Sequence, residues 1–329
     1  MRSGKKIIVA LLALLVVLFI GVYYGAGYVV FNQLTAVESG CQRAWMEGMR
    51  DNTPAEFVAR LASDDNVTPM PHLAMQDYQD VTIRSREDNV ELSGWFIPAP
   101  EPGDYVVLVV HGIHSCKRDS TVLIPAGMLH RNGFNVLMLE LRNHGDSEIT
   151  NGRTTAGNHE YVDVLGAFDW LQEQGYEADH IALMGISFGG GTSAIAFGEE
   201  PEIPVLWLDS PFGNINEVVE YELERNGYPT FLIAPAFQIA QLNGIDFYER
   251  SPDRALQNHQ NRPIMIVHGD ADVRVPFRFG EQLYQNAGDN AEFLPFEGLD
   301  HVEAMYIEPE IYEAALIRFL NENLVNDDG

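Results

Sequence analysis

The stretch that decides the fold is Ile181-Ala-Leu-Met-Gly185-Ile186-Ser187-Phe188-Gly189-Gly190. A short apolar run, typical of a buried strand, leads into a serine placed between glycines, and small residues suited to a closely packed helix follow. A serine at the tip of such a sharp strand-to-helix turn keeps its hydroxyl exposed, because the flanking glycines remove side chains that would crowd it. Ser187 is therefore a candidate nucleophile, provided that a base and an orienting acid accompany it.

The buried-strand pattern recurs along the chain. Nearly unbroken apolar runs occupy residues 105–110, 136–139, 205–208 and 264–267, as expected for strands of a parallel sheet that helices cover on both faces. Stretches of helical length lie between these runs. The predicted fold class is therefore α/β, with a mostly parallel central sheet. Alternating residues at 81–86 and 90–97 predict an antiparallel hairpin that leads into it.

A serine nucleophile needs an imidazole base, and the base needs a carboxylate that orients it. His301 is the candidate base, because it lies in a loop between a predicted last strand and the terminal helix. Asp272 is the candidate acid, since it lies a short way into the turn after the strand at 264–267. Asp270 in the same turn and Asp209 at the end of the preceding strand remain alternatives.

Two backbone N–H groups are expected to stabilise the oxyanion of an acyl-transfer intermediate. The candidates are the N–H of Phe188, directly after the nucleophile, and that of Ile113, in the loop after the strand at 105–110. His111 and His114 in this loop lack a third ligand nearby, so packing or hydrogen bonding is a better interpretation than a metal site. No motif implies a metal or a cofactor.

Composition excludes several classes of protein. The chain has 329 residues, 46% of them hydrophobic, which is enough for a substantial core. A formal net charge of −28 repels phosphate backbones, so nucleic-acid binding is not expected. Two cysteines cannot frame a disulfide-rich scaffold, and the sequence leaves open whether Cys41 and Cys116 pair.

The N-terminus predicts a membrane anchor. Arg2, Lys5 and Lys6 precede an uncharged, mostly apolar run over residues 7–31, and a helix of that length would reach about 37 Å, enough to cross a bilayer. The alternative is a cleaved signal peptide, although the apolar region of such peptides is shorter. The positive-inside rule then places residues 1–6 in the cytoplasm and the bulk of the chain outside it.

The predicted domain organisation follows from these segments. Residues 1–31 form a cytoplasmic tip and transmembrane anchor, residues 32–77 a helical connector, and residues 78–323 the catalytic domain. Within this domain, the long interval at 212–260 predicts a helical cap over the carboxyl ends of the strands, with one long decorated crossover helix as the alternative.

Five motifs in this order resemble the α/β-hydrolase superfamily: His111-Gly112, Arg142 to Ser147 with Asn143 in place of a glycine, Gly185 to Gly189, His268 to Pro276, and His301. Asp209-Ser210-Pro211-Phe212 and the acidic, aromatic cap resemble a bacterial membrane-anchored or secreted branch related to prolyl oligopeptidase and serine aminopeptidases. The resemblance covers about residues 78–323. It implies the hydrolase fold and the triad but not the substrate, because this fold serves many reactions.

The expected function is that of a membrane-tethered serine hydrolase. Ser187 attacks an acyl carbonyl, His301 transfers the proton, and Asp272 orients the imidazole. A carboxylic ester is the favoured substrate, and a peptide is the alternative. A non-catalytic binding module is the third reading. The sequence does not indicate the acyl chain, the leaving group or the oligomeric state.

Overall fold

A computed structural model describes residues 2–37, 41, 44–61 and 63–325 of the chain. Its strands are β1 (Val58–Leu61), β2 (Asp64–Pro69), β3 (Gln79–Arg84), β4 (Glu91–Ile97), β5 (Val106–Val110), β6 (Asn135–Leu139), β7 (Ile181–Ile186), β8 (Val205–Asp209), β9 (Ile264–Gly269) and β10 (Ala291–Phe296). Its α-helices are α1 (Arg2–Thr35), α2 (Ser120–Arg131), α3 (Tyr161–Glu173), α4 (Phe188–Glu199), α5 (Ile215–Arg225), α6 (Ile233–Leu242), α7 (Pro252–Leu256), α8 (Phe277–Ala287), α9 (Ala304–Ile307) and α10 (Pro309–Asn323).

Eight strands form one sheet in the order β10-β9-β8-β7-β5-β6-β4-β3. Neighbours from β10 to β6 are parallel, whereas β4 pairs antiparallel with both β3 and β6. The mostly parallel sheet with a leading antiparallel pair is therefore confirmed. Because the parallel strands end at one edge, the loops after β5, β7, β8 and β9 meet there.

The sheet has an apolar core on each face, which explains the unbroken apolar runs. In β5, Val106, Leu108 and Val110 contribute to the cluster that contains residues of α3 and α4. The intervening Val107 and Val109 contribute to a second cluster with residues of α2 and α10. All five residues are buried because successive side chains of a strand point to opposite faces.

The prediction that residues 32–77 form a helical connector is wrong where β1 and β2 form a hairpin. These strands pair antiparallel, with Ala59 opposite Thr68. Phe57 and Ala59 are buried in the core beside α2, so tertiary contact decided a segment whose local preference was weak. Met1 of the predicted cytoplasmic tip, and residues 38–40, 42–43 and 62 of the predicted connector, lie outside the described residues.

One helix in the described ranges, Lys5–Thr35, is long and apolar enough to cross a membrane, and its most apolar stretch of 18 residues has a mean hydropathy of 2.9. A signal sequence would meet the same criterion. Every side chain from Lys5 to Val22 is exposed, whereas the C-terminal part of α1 packs against α6. The helix continues four residues beyond the predicted end of the anchor.

The interval at 212–260 holds three helices, α5, α6 and α7, so one long crossover helix is not what the chain forms there. Apolar residues of α5 and α6 build a separate cluster with the end of α1, which includes Val30, Phe31, Val219 and Phe237. The interval and α1 therefore share one small apolar core.

Candidate active site

Ser187 lies between the end of β7 and the start of α4, in a strained backbone conformation. Its φ is 53° and its ψ is −115°, a combination that residues other than glycine rarely adopt. A Cβ at Gly185 would lie 2.4 Å from the Gly189 carbonyl oxygen, and one at Gly189 would lie 2.4 Å from the His111 carbonyl oxygen. The turn that presents this serine therefore requires both glycines.

The structure brings Ser187, His301 and Asp272 together. The Ser187 Oγ lies 2.9 Å from His301 Nε2, and His301 Nδ1 lies 2.7 Å from Asp272 Oδ2. An Nδ1–H that donates to the carboxylate leaves Nε2 free to accept the serine proton. His301 lies 114 positions after Ser187 in the sequence, and the two side chains meet because the loops after β7 and β10 lie at one edge of the sheet.

The Asp272 carboxylate is held from both sides. Its Oδ1 accepts the backbone N–H of Arg274 at 2.8 Å and that of Val275 at 2.7 Å. Burial opposes ionisation, but hydrogen bonds from His268 and His301 hold the pKa of Asp272 well below its usual range. The group is therefore a carboxylate at neutral pH.

Neither alternative acid contacts His301 within the described chain. Asp270 is exposed and its Oδ1 accepts the Gly298 N–H at 2.6 Å. Asp209 is buried, and it accepts the Tyr312 hydroxyl at 2.9 Å and the Ser210 hydroxyl at 2.9 Å. Burial raises the pKa of Asp209. Both carboxylates are thus committed to other partners.

His268 supports the acid, a role that the sequence reading did not predict. Its Nε2 lies 3.2 Å from Asp272 Oδ2 and 2.8 Å from the Val275 carbonyl oxygen. Because both neighbours are acceptors, this nitrogen carries the proton. The Nδ1 is buried without a hydrogen-bond partner in the described chain. The spacing of four residues between His268 and Asp272 is the feature of the sequence that could have indicated this contact.

The two predicted oxyanion donors belong to segments that lie beside Ser187. Phe188 is the first residue of α4, so its N–H has no acceptor within the helix. A Cβ at Gly112 would lie 3.5 Å from the Ser187 Cβ, so the loop that carries Ile113 passes close to the serine. The assignment of the Ile113 N–H remains a prediction.

His111 and His144 form a buried layer behind this loop. The His111 Nδ1–H donates to the Gly112 carbonyl at 2.7 Å, while its Nε2 accepts the Leu141 N–H at 3.1 Å. Both ring nitrogens of His111 therefore have backbone hydrogen-bond partners, as the hydrogen-bonding interpretation of this residue predicts. Burial lowers the pKa of His111 to about 4 and that of His144 to about 3.

Asn143 occupies the position where the family motif has a glycine. Its φ is 65°, which is unfavourable for most side chains but tolerated by asparagine. Its Oδ1 accepts the N–H groups of Thr150 at 2.9 Å and Gly152 at 3.0 Å. These bonds explain how the loop keeps its shape without the glycine.

Cys41 and Cys116 form a disulfide across 75 residues of sequence. With Glu140 they are also the one group of clustered potential metal ligands among the described residues, but both sulfurs are committed to the disulfide. Cys116 lies two residues after His114. The bond therefore ties the N-terminal segment to the loop that carries Ile113.

A cavity of about 600 Å³ lies over Ser187. Its walls come largely from α5, the loop after it and the loop that carries Ile113, and they combine apolar side chains with the charged Glu222, Arg225 and Arg274. The end of α1 contributes Val30, Gln33 and Leu34. The sequence does not predict this contribution, because residues 7–31 are expected to lie in the bilayer and residues 32–77 to form a connector.

Comparisons with known proteins agree with this architecture. A model of the prolyl oligopeptidase family matches residues 126–326. The chain is 24% identical over 262 residues to the uncharacterised protein YfhR of Salmonella typhi, covering 75% of this chain and 82% of that protein. It is 29% identical over 193 residues to the acylamino-acid-releasing enzyme of Homo sapiens, covering 55% of this chain and 25% of that enzyme.

Among solved structures, the esterase Pf2001 of Pyrococcus furiosus is similar, with a TM-score of 0.62 and 25% identity. The match covers 77% of this chain and 94% of the esterase. This neighbour has the α/β-hydrolase fold that the sheet order indicates, and the family model spans more than half of the chain. The chain therefore belongs to the prolyl oligopeptidase family, with the α/β-hydrolase fold.

Proposed function

We propose that the protein is a serine hydrolase that cleaves a carboxylic ester through an acyl-enzyme on Ser187. The observation that carries this proposal is the unbroken hydrogen-bond chain from the Ser187 Oγ through His301 to Asp272 beneath a cavity. This is the arrangement that turns a weakly nucleophilic hydroxyl into an effective nucleophile.

Each residue has a defined role in the proposed reaction. The Ser187 Oγ attacks the acyl carbonyl carbon while its proton passes to His301 Nε2, 2.9 Å away. Asp272 stabilises the resulting imidazolium through Nδ1–H. The N–H groups of Phe188 and Ile113 would stabilise the oxyanion. His301 then protonates the departing alkoxide, and water, activated by the same imidazole, releases the acid.

The match to the esterase Pf2001 supports an ester substrate, because it covers 94% of that chain. The match to the human acylamino-acid-releasing enzyme keeps peptide hydrolysis as the second candidate, but it spans 25% of that enzyme. The apolar part of the wall, which includes Phe212, Ile215 and Val218, suits an acyl chain. Neither a nucleic acid nor a metal is part of the proposed reaction.

We also propose that α1 anchors the protein in a membrane, with residues 1–6 in the cytoplasm and the catalytic domain at 78–323 outside it. The basic N-terminus and the exposed apolar length of α1 support this topology. The Cys41–Cys116 disulfide fits an oxidising compartment outside the cytoplasm. A cleaved signal sequence is the alternative, which the mass of the mature protein would distinguish.

The nucleophile is tested by labelling the full chain in detergent with a fluorophosphonate probe. Ser187→Ala should abolish labelling and the turnover of p-nitrophenyl butyrate. Ser193→Ala is the matched control, since it removes a hydroxyl of α4 that is buried and has no hydrogen-bond partner in the described chain. Equal labelling of Ser187→Ala and wild type would refute the assignment. Turnover of acyl-amino-acid amides in preference to esters would favour the peptidase, and no turnover of either would favour a binding module.

A further inference from the structure

The first observation is that α1 has two parts with different surroundings. Every side chain of the first part, Lys5–Val22, is exposed, and we call it the exposed part. Its apolar portion from Ile7 would extend about 24 Å as a helix, about 6 Å less than a bilayer core of about 30 Å. The docked part, Tyr23–Thr35, packs against α6 and the loop that contains Arg153. The second part therefore begins within about one helical turn of the outer boundary of a bilayer core.

The docked part is firmly attached to the catalytic domain. Gly27 lies so close to α6 that a Cβ there would be 2.6 Å from Pro235 Cβ. The Arg153 guanidinium donates to the Thr35 hydroxyl at 2.6 Å and to the Asn32 side-chain oxygen at 2.8 Å. The docked part lines the cavity through Val30, Gln33 and Leu34. Packing against α6 on one side and the hydrogen bonds from Arg153 on the other hold it in this position.

The outward face of the docked part remains apolar. Tyr24, Tyr28 and Val29 are exposed there, and tyrosines are enriched where a helix leaves the bilayer. Val29 lies one helical turn before Gln33, which lines the cavity together with Val30 and Leu34. The outer surface of α1 therefore runs from its exposed part to the edge of the cavity.

Exposed apolar side chains before and at the end of α6 lie near this surface. Phe231, just before α6, stacks on Tyr23, and the Tyr24 hydroxyl donates to Gln238 at 2.6 Å, so the segment from Phe231 to Gln238 crosses α1 beside the first turn of the docked part. Leu242, the last residue of α6, lies one helical turn beyond Gln238. Leu242 is 86% exposed and Phe231, which stacks on Tyr23, is 63% exposed. We call Tyr24, Tyr28, Val29, Phe231 and Leu242 the interfacial patch.

Building on the proposed function, we infer that the interfacial patch rests on the outer leaflet of the bilayer and that the substrate is a long-chain acyl ester dissolved in that leaflet. The acyl chain would leave the bilayer beside Val29 and enter the cavity past Val30 and Leu34. Continuity with the membrane helix identifies a bilayer as the occupant of this surface. The net charge of −28 and the apolar character of the patch favour a neutral or zwitterionic surface over an anionic one.

The test places the full chain in phosphatidylcholine vesicles and measures two esters. p-Nitrophenyl butyrate reaches the enzyme from water, whereas p-nitrophenyl palmitate partitions into the bilayer. The readout is the ratio of palmitate to butyrate turnover. Leu242→Glu should lower this ratio about tenfold, the scale of losing one apolar side chain from a buried contact. Because Leu242 is outside the cavity lining and largely exposed, the fold should persist.

Ile311→Glu is the matched control, since Ile311 is 54% exposed on α10, which packs on the opposite face of the sheet from α3. It should leave the ratio unchanged. In detergent micelles, where no bilayer remains, Leu242→Glu and wild type should have the same ratio, whereas a folding defect would persist. Phe231→Ser provides a second variant with the same expectation.

Two results would overturn the inference: an unchanged ratio for both patch variants in vesicles, or a wild-type enzyme that turns over butyrate but not bilayer-embedded palmitate. A wild-type enzyme that turns over neither ester and is not labelled by the fluorophosphonate probe would instead overturn the proposed function. The two failures are therefore distinguishable.

Discussion

Asp272→Asn tests the hydrogen-bond chain most directly, because the structure determines how the new amide must sit. The backbone N–H groups of Arg274 and Val275 both point at Asp272 Oδ1, at 2.8 and 2.7 Å. These groups can only donate, so the amide oxygen must take this position. The amide NH2 group is then directed at His301 Nδ1, where the carboxylate oxygen lies 2.7 Å away in the native protein.

An N–H donor at this position reverses the His301 tautomer. The Nδ1 must accept, so the neutral ring carries its proton on Nε2, the atom that lies 2.9 Å from the Ser187 hydroxyl. That nitrogen no longer has a lone pair to take the serine proton. We expect kcat to fall by about four orders of magnitude, or about 5.5 kcal/mol of transition-state stabilisation.

The assay is p-nitrophenyl butyrate hydrolysis by the full chain in detergent at pH 7.5, with fluorophosphonate labelling rates measured in parallel. Asp270→Asn is the control, and it should remain within about twofold of wild type because Asp270 is exposed and has no hydrogen bond to His301 within the described chain. Near-native activity of Asp272→Asn would refute the reasoning. A large loss in Asp270→Asn or Asp209→Asn would transfer the role to that residue.

Three further predictions concern stability and support of the site. Because burial lowers the pKa of His111 to about 4 and that of His144 to about 3 from 6.5, the folded protein binds fewer protons than the unfolded chain, so stability is lost as pH falls below 6.5. Each histidine should lower the free energy of unfolding by about 1.6 kcal/mol between pH 6.5 and pH 5, and a constant melting temperature over this range would contradict the expectation. Replacing both Cys41 and Cys116 by alanine should lower the free energy of unfolding by about 4 kcal/mol, because the bond closes a loop of 75 residues; urea unfolding with and without reductant checks this, and identical midpoints would disprove it. Gly280→Ala should lower kcat about tenfold, because its Cβ would lie 2.4 Å from His268 Nδ1 and displace the ring that supports Asp272; unchanged kinetics would show that His268 does not position the acid.

Much of the fold was predictable because it depends on local patterns. Side chains of a strand alternate between faces, so a strand covered on both sides must be apolar throughout, as β5 and β7 are. The hairpin of β3 and β4 alternates because one face is more exposed. The β1–β2 hairpin was missed, since β1 has four residues and its partner reads Asp-Asp-Asn-Val-Thr-Pro, with one strongly β-forming pair.

The candidate site was predictable in its members but not in its contacts. Ser187 stands out because a strained turn between glycines leaves a local signature. The acid does not, because Asp209, Asp270 and Asp272 all follow buried strands in the same sequence context. The choice among them depends on the direction of each side chain and on competing partners such as Tyr312, which lies 103 residues from Asp209.

The sequence by itself determined the order of the strands along the chain, the strained serine turn, the apolar N-terminal helix and the residues available for chemistry. Tertiary structure alone decided that Asp272 orients His301, that Cys41 pairs with Cys116, and that the end of α1 forms a wall of the cavity. The physical reason is the distance along the sequence over which each kind of interaction acts. Periodicity and turn chemistry act over a few residues, whereas these contacts depend on which loops the sheet brings to one edge and on which packing buries the most apolar surface.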